Sequence, residues 1–495
     1  MASYEPSGIL DAVVVGAGFS GLAVAVRLSK AGFERILVLE KAASIGGTWR
    51  ENTYPGCACD IPSHLYSLSF APKHDWSRLY ASQPEIRAYL EDVVTRCGLR
   101  SKIRFNAHVT GARWDETATL WTVALEGGAS ILARGLISAV GPLSIPQVPA
   151  LAGMATFRGK TFHSAGWDHD YDLAGKRVAV IGTGASAIQF IPAIAPIVER
   201  LDVYQRTPPW ILPKADKPIA PKTIERFRRF PLLRMYERYR LFWIHEARAD
   251  GFTTNPELME KSKALALRLI DRQVRDADLK RKVLPNYALG CKRLLISGDY
   301  YPALSRPNVE VVTEPVRTVY GDGIETATGE RRDVDAIVFG TGFDVQGGML
   351  SVPIFGRGGR SLAEAWAAGK EAYLGTTING FPNFFMMIGP NSGLAHNSQI
   401  FMIEAQARYV AAALRKLRTR RRRALDVRGD IQAGFNGWLA ARLDAAVWNR
   451  GGCKSWYLDP VTGRNSSLWP ASALAFWRRL RRFRTSDYVW TTGAG

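Results

Sequence analysis

Two apolar runs in this chain are bounded in the same way. Residues 12–15 are uniformly apolar and lead into Gly16, Gly18 and Gly21, after which an alanine-rich stretch shows helical spacing. Residues 178–181 repeat the arrangement with Gly182, Gly184 and Ala187. An apolar run, a glycine turn and a helix together describe a buried parallel strand feeding its crossover helix. The next apolar run of each unit ends on a charge, Glu40 in the first and Arg206 in the second, each 24 residues after the first glycine. Residues 214–283 show helical periodicity with dense Arg/Glu pairs and predict a helical insertion. Its aromatics Phe227, Tyr236, Tyr239, Phe242 and Trp243 are expected in the core, with a role in walling a substrate pocket as the alternative. The run 335–344 is an apolar strand ending in Gly340 and Gly342; it is either one more strand or the return of the chain to the second sheet beside a cofactor.

The pattern predicts an α/β chain with two Rossmann-like dinucleotide-binding domains and a helical insertion. No low-complexity linker separates them, so the domains are expected to interleave: 1–150 and 382–495 for the first, 151–213 and 285–381 for the second, and 214–284 for the insertion. The chain has 495 residues, 47% hydrophobic and 22% charged, which excludes a disordered chain or one small module.

Lys+Arg 65 against Asp+Glu 45 gives +20. Two acid-free stretches, 415–423 and 478–484, carry 12 of that excess. The first reads as a solvated helix end, and no nucleic acid is expected as a partner. The rival from another class is a nucleic-acid or membrane-surface protein using these patches on an inactive scaffold.

Residues 9–28 have the length of a membrane span, but Asp11, Ser20, Arg27 and three glycines interrupt them, so stable membrane insertion is not expected. The N-terminus shows no secretory pattern, and a cytoplasmic location is expected. Five cysteines are too few and too scattered for a disulfide framework, and their odd number would strand one. No metal site is expected. Oligomeric state stays open between monomer and homodimer.

The glycines state the chemistry. Gly16 permits a tight turn, Gly18 lets backbone approach a pyrophosphate, Gly21 lets helix and strand pack closely, and the helix N-terminus offers its amides to phosphates. Glu40 suits an adenosine 2′-OH, whereas Arg206 suits a 2′-phosphate. FAD is therefore expected on the first unit and NADPH on the second.

Cys57 and Cys59 stand one residue apart, a spacing that strains a disulfide and argues against a dithiol reductase. The surrounding stretch, GGTWRENTYPGCACD (46–60), and a second one, FRGKTFHSAGWD (157–168), resemble the fingerprints of Baeyer–Villiger monooxygenases, which convert ketones to esters or lactones with NADPH and O2. The resemblance continues through QRTPPW (205–210), GCKR (290–293), residues 381–406 and GGCKSWYLD (451–459). It implies FAD contacts from Ser20, Glu40, Thr48, Trp49, Arg50, Glu51, Ala58, Cys59, Asp60, Tyr66 and Gln399. It implies nicotinamide-nucleotide contacts from Gly182, Thr183, Gly184, Ala185, Ser186, Ala187, Ile188, Arg206, Thr207, Lys292 and Trp456.

By the same resemblance the reaction runs through a C4a-peroxyflavin, with Arg293 as the fixed positive charge beside it and Asp60 orienting Arg293. His163 and Trp167 are expected to pack or couple domains rather than to act as acid or base. The alternative within flavoenzymes is a heteroatom-oxidising monooxygenase acting on nitrogen or sulfur.

Overall fold

A computed structural model describes residues 8–459 and 461–491. The first sheet is built on β1 (Leu10–Val15), β2 (Ile36–Leu39), β3 (Ile103–Arg104), β4 (Val109–Asp115), β5 (Leu120–Leu125) and β6 (Ser130–Ser138), in the order β4-β5-β6-β1-β2-β3. Its centre is parallel, β6-β1-β2-β3, while β4 and β5 form an antiparallel extension. Helices lie over β1, which accounts for its unbroken apolar sequence: Leu10, Ala12, Val13 and Val14 are wholly buried.

The second sheet contains β7 (Lys160–His163), β8 (Arg177–Ile181) and β9 (Arg200–Tyr204). After β9, β10 (Ile211–Pro213) pairs with β11 (Leu295–Ser297), and β12 (Val309–Val312) joins the edge of the second sheet beside β9. A small antiparallel sheet, β13 (Val316–Tyr320), β14 (Gly323–Thr326) and β15 (Arg331–Asp333), precedes β16 (Ala336–Phe339). The order is β12-β9-β8-β16-β7, so the apolar run at 335–344 is the return to the second sheet. The chain then rejoins the first sheet through β17 (Ile354–Phe355) against β4 and β18 (Phe384–Met386) against β6. This return precedes the expected boundary at 381, because a two-residue strand carries no periodic signal in sequence.

The glycine turns of the two units match closely. Gly16 has φ +105° and Gly182 φ +103°. A Cβ at Gly16 would stand 2.6 Å from the Ala139 carbonyl oxygen, and one at Gly182 would stand 2.5 Å from that of Gly340. In the first unit Gly21 admits no side chain, since its Cβ would lie 1.8 Å from the Gly16 oxygen. The second unit tolerates Ala187 there and removes the Cβ from the facing position: a Cβ on Gly340 would be 3.0 Å from that of Ala187.

Helices α1 (Phe19–Lys30), α2 (Thr48–Glu51), α3 (Gln83–Arg96) and α4 (Ala187–Ile194) belong to these units, and α5 (Pro221–Arg229), α6 (Pro231–Glu246), α7 (Ala249–Thr253), α8 (Glu260–Gln273) and α9 (Ala277–Val283) form the insertion. The expectation that its aromatics fill a core holds for Phe242 and fails elsewhere: Tyr236, Tyr239 and Trp243 are 66, 58 and 55% exposed, and Phe227 is half-buried. Polar groups anchor α6 instead. Arg238 donates to the His64 and Leu65 carbonyls, and Glu246 accepts from Asn397 (2.8 Å) and from the Leu474 amide (2.8 Å). The inner face of α6 mixes Phe242 with Arg238, His245 and Glu246, while much of its outer face is apolar, unlike the usual amphipathic helix.

The cysteine expectation also needs correction. Cys291 and Cys453 form a disulfide across 162 residues, while Cys57, Cys59 and Cys97 are free thiols. Sequence distance hid a pair that folding brings together. Among the described residues no helix is long and apolar enough to cross a membrane.

Candidate active site

The first glycine turn is lined by a second one. Gly46 (φ +131°) and Gly47 (φ +52°) precede α2, and a Cβ on Gly18 would meet the Gly47 Cα at 3.6 Å. Ser20 lies buried in the first turn of α1. Glu40, at the end of β2, accepts from the Ala17 amide (2.9 Å) and the Ala42 amide (3.1 Å) and pairs with Arg50 (2.8 Å). Arg50 also pairs with Glu51, so Glu40, Arg50 and Glu51 form one charged cluster at the mouth of the turn. Thr48 opens α2, and the Trp49 indole N–H donates to the Tyr66 hydroxyl (3.1 Å) with the rings edge to face.

Asp60 and Arg293 stand 233 residues apart in sequence and form a hydrogen-bonded ion pair. Burial resists ionisation of Asp60, but the Arg293 charge and hydrogen bond outweigh it and hold the carboxyl below its ordinary value. The carboxylate in turn raises the Arg293 guanidinium further, against burial. The result is a positive charge that keeps its proton. Cys57 and Cys59 flank the pair as buried thiols; burial pushes Cys57 up to about 11 and Cys59 higher still, so neither is a reactive thiolate.

Ala58 is held from the second unit: the Gln189 amide of α4 donates to its carbonyl (2.9 Å), and the Tyr54 hydroxyl donates back to Gln189 (2.9 Å). Gly56, at φ +79°, lets α4 approach, since a Cβ there would lie 2.6 Å from the Gln189 carbonyl oxygen. Gln189 was not singled out by sequence, although it is the residue that follows Ile188 in the second glycine motif.

At the second turn Gly184 and Ala185 are exposed, Ser186 half-buried, and Thr183, Ala187 and Ile188 buried. Among the described residues the backbone amides of 183–186 donate to no protein acceptor. The Thr183 hydroxyl donates to the Thr207 carbonyl (3.4 Å), tying this turn to the end of β9. Arg206 projects exposed from that end. Burial lowers the Lys292 ammonium, and the nearby Arg206 charge lowers it further. Among the described residues neither cation has a carboxylate partner; Lys292 rests over the Tyr287 ring. Two adjacent unneutralised cations beside free amides make an anion site.

Trp456 is 45% exposed and so is not a core residue, whereas its neighbour Tyr457 is buried. Gln399 begins the helix Gln399–Thr419 with its amide occupied by its own loop, accepting from the Leu394 amide (3.1 Å) and donating to the Ser392 carbonyl (3.0 Å).

The stretch 157–168 packs against α4. Trp167 packs against Phe162 and against Phe190 of α4, and Phe190 meets Tyr54. Asp168 pairs with Lys160, and the adjoining His169 is hydrogen-bonded to Thr53 (2.8 Å). His163 is buried, accepts from the Ala165 amide (3.1 Å), and is lowered by burial.

Comparisons with known proteins agree with this geometry. A family model described as an NAD(P)-binding Rossmann-like domain matches residues 14–82, and one for L-lysine 6-monooxygenase/L-ornithine 5-monooxygenase matches 74–204. The chain is 50% identical over 479 residues to a Baeyer–Villiger monooxygenase of Pseudomonas aeruginosa, covering 97% of this chain and 91% of that one. It is 46% identical to another from Streptomyces coelicolor, covering 96% and 91%. Among solved structures, an oxidised steroid monooxygenase bound to NADP is 34% identical, with a TM-score of 0.88 over 98% of this chain and 100% of that one. A cyclohexanone monooxygenase from Rhodococcus sp. Phi1 bound to NADP+ is 30% identical at the same TM-score and coverage.

Proposed function

Because the chain belongs to the Baeyer–Villiger monooxygenase family, we propose that its two glycine turns, Arg293 and Asp60 serve one reaction at one site. The protein is an FAD- and NADPH-dependent monooxygenase that converts ketones to esters or lactones. One O2 and one NADPH with a proton are consumed per ketone, leaving the ester, NADP+ and water.

The residues present fit both cofactors. Gly16 permits the tight turn against the Ala139 carbonyl, Gly18 and Gly47 face one another without side chains, and Glu40 follows β2 where a ribose hydroxyl would lie. The free amides of 183–186 suit a pyrophosphate, and Arg206 with Lys292 suits a 2′-phosphate. Bound flavin accepts hydride and activates O2; this chain's residues hold, orient and shield. Ser20, Thr48, Trp49, Arg50, Glu51 and Tyr66 wall the FAD side, together with Ala58, Cys59 and Asp60. Thr207, Trp456 and the second turn hold the nicotinamide nucleotide.

Gln399 acts on the FAD side by fixing the loop 391–398 rather than by its own amide, which the loop occupies. Arg293 supplies the positive charge that steadies negative charge developing at the reacting oxygen, and Asp60 aims the guanidinium. The observation that carries this reading is the Asp60–Arg293 pair, joining the first fingerprint to GCKR where the two units meet.

The direct test is the purified protein's flavin absorbance, followed by NADPH and O2 consumption over a panel of ketones with product analysis. Ester formation matched to NADPH consumption is expected. Oxygenation of amines or sulfides alone, with every ketone untouched, would transfer the assignment to a heteroatom-oxidising enzyme. The partner is thus a small-molecule ketone. The cytoplasm remains the proposed location, with monomer or homodimer as the proposed state.

A further inference from the structure

The disulfide lies beside the catalytic arginine. Cys291 stands two residues before Arg293, and Cys453 three residues before Trp456. The two loops are fitted to one another: a Cβ on Gly451 would lie 2.6 Å from the Cys291 Cβ and 2.8 Å from its Sγ, and the Ala288 amide donates to the Gly451 carbonyl (3.0 Å). Gly290, at φ +95°, is seated against Phe252 and Val447. Beyond Gly451 the attachment thins. Among the described residues, 452–456 make no hydrogen bond to another element, and their only hydrogen bonds are those that Ser455 accepts from the next residues, Tyr457 and Leu458. The covalent bond ties the Cys453 end of this segment to the loop of Arg293, and the buried Tyr457, next to Trp456, holds its other end.

We propose that Cys291–Cys453 is a thiol–disulfide exchange site whose substrate is a dithiol, and that its state sets how firmly the segment bearing Trp456 holds the nicotinamide nucleotide over the Asp60–Arg293 pair. This rests on the reading of Arg293 and Trp456 given above. Cys291 is wholly buried and Cys453 half-buried, so exchange begins at Cys453. A thiolate of the dithiol attacks the Cys453 sulfur, the Sγ–Sγ bond breaks, and Cys291 leaves as a thiolate that takes a proton. The second thiol of the reductant then attacks the mixed disulfide, releasing Cys453 as a thiol and the reductant as its cyclic disulfide. Two electrons and two protons pass to the protein.

Once open, the segment 452–456 loses its anchor at Cys453 and is held only by Gly451 and Tyr457. The nucleotide then dissociates more readily, and the reduced enzyme spends NADPH on hydrogen peroxide instead of ester.

The test uses the full-length, FAD-loaded enzyme. Alkylation of the denatured protein with mass analysis should find three thiols after treatment with oxidised glutathione and five after dithiothreitol. Calorimetric titration with NADP+ should show affinity about tenfold weaker in the reduced enzyme, the scale of losing one preorganised segment, with FAD content unchanged. Peroxide released per NADPH should rise. Cys453→Ser should resemble the reduced enzyme and ignore dithiothreitol, whereas Cys97→Ser should respond as the parent does. Five thiols after oxidised glutathione, or one NADP+ affinity in both states, would overturn the proposal even if esters form. Absence of ester in both states with the affinity change intact would instead contradict the reaction reading and leave the exchange site standing.

Discussion

Glu40 and Arg206 hold the same place in two equivalent units, and the fold treats them differently. Glu40 is buried and bound by Ala17, Ala42 and Arg50, whereas Arg206 stands exposed beside Lys292. A 2′-phosphate would gain charge-assisted hydrogen bonds from Arg206, each worth about 1.5–3 kcal/mol. Arg206→Gln should therefore raise the KM for NADPH by about 10- to 100-fold while barely changing that for NADH. Equal effects on the two nucleotides in steady-state kinetics would refute the assignment. The glycines make a second test. Gly21→Ala places a Cβ 1.8 Å from the Gly16 oxygen, so the turn must move, at a cost of about 3 kcal/mol. FAD content and Tm should both fall, and the reverse substitution at the matching place, Ala187→Gly, should leave nucleotide binding intact.

At the scale of elements, two buried histidines lie where the insertion meets the rest of the chain. His64 meets Phe227 of α5 edge to face, and His245 of α6 is hydrogen-bonded to the His396 carbonyl (3.2 Å). Burial lowers both from 6.5 to about 4, with Glu237 opposing and Arg234 and Arg238 adding at His64, and with Arg248 adding at His245. Because the folded value lies below the unfolded one, the unfolded chain binds more protons between about pH 6.5 and 4. Stability is complete above that window and is lost as pH falls through it, by up to about 3 kcal/mol per histidine. Tm measured against pH should decline over this range, and less steeply in His64→Phe; parallel curves would contradict the account.

The unit junction is a second element-scale device. Gly56→Ala drives a Cβ into the Gln189 carbonyl at 2.6 Å and should loosen α4 from the stretch 54–58. A fall in ester formed per NADPH, beyond the loss in Tm, is the expected signature. The apolar outer face of α6 explains why its aromatics misled: helical period identifies a face but not which face is inward, and here Arg238 and Glu246 decide it.

Across the whole molecule, the basic residues of 415–423 are exposed, as expected of a solvated helix end, yet some of the patch arginines are also tied to the fold. Arg418 donates to the Gly32 and Ala31 carbonyls beyond the end of α1 (2.7 and 2.9 Å) and lies over Phe33. Arg420 covers Trp490, and Arg479 lies 4.0 Å from the Trp438 ring centroid. Arg418→Ala should lower stability by about 1 kcal/mol in denaturant unfolding, an effect that a purely solvated charge would not produce. The parallel strands, both glycine turns and the order of units were legible because each rests on local rules, apolar runs and positive φ. The Asp60–Arg293 pair and the Cys291–Cys453 bond join residues 233 and 162 apart. The first could be named only through family resemblance, and the second had no local signal at all. The early return at β17 had none either.

The central claim is that Arg293, held by Asp60, supplies the charge on which oxygen insertion depends. Arg293→Ala, purified with its flavin and supplied with NADPH, O2 and a ketone accepted by the parent enzyme, tests it most directly by product analysis. Retained FAD, continued flavin reduction and loss of ester formation are the expected result; unaltered ester formation would contradict the account.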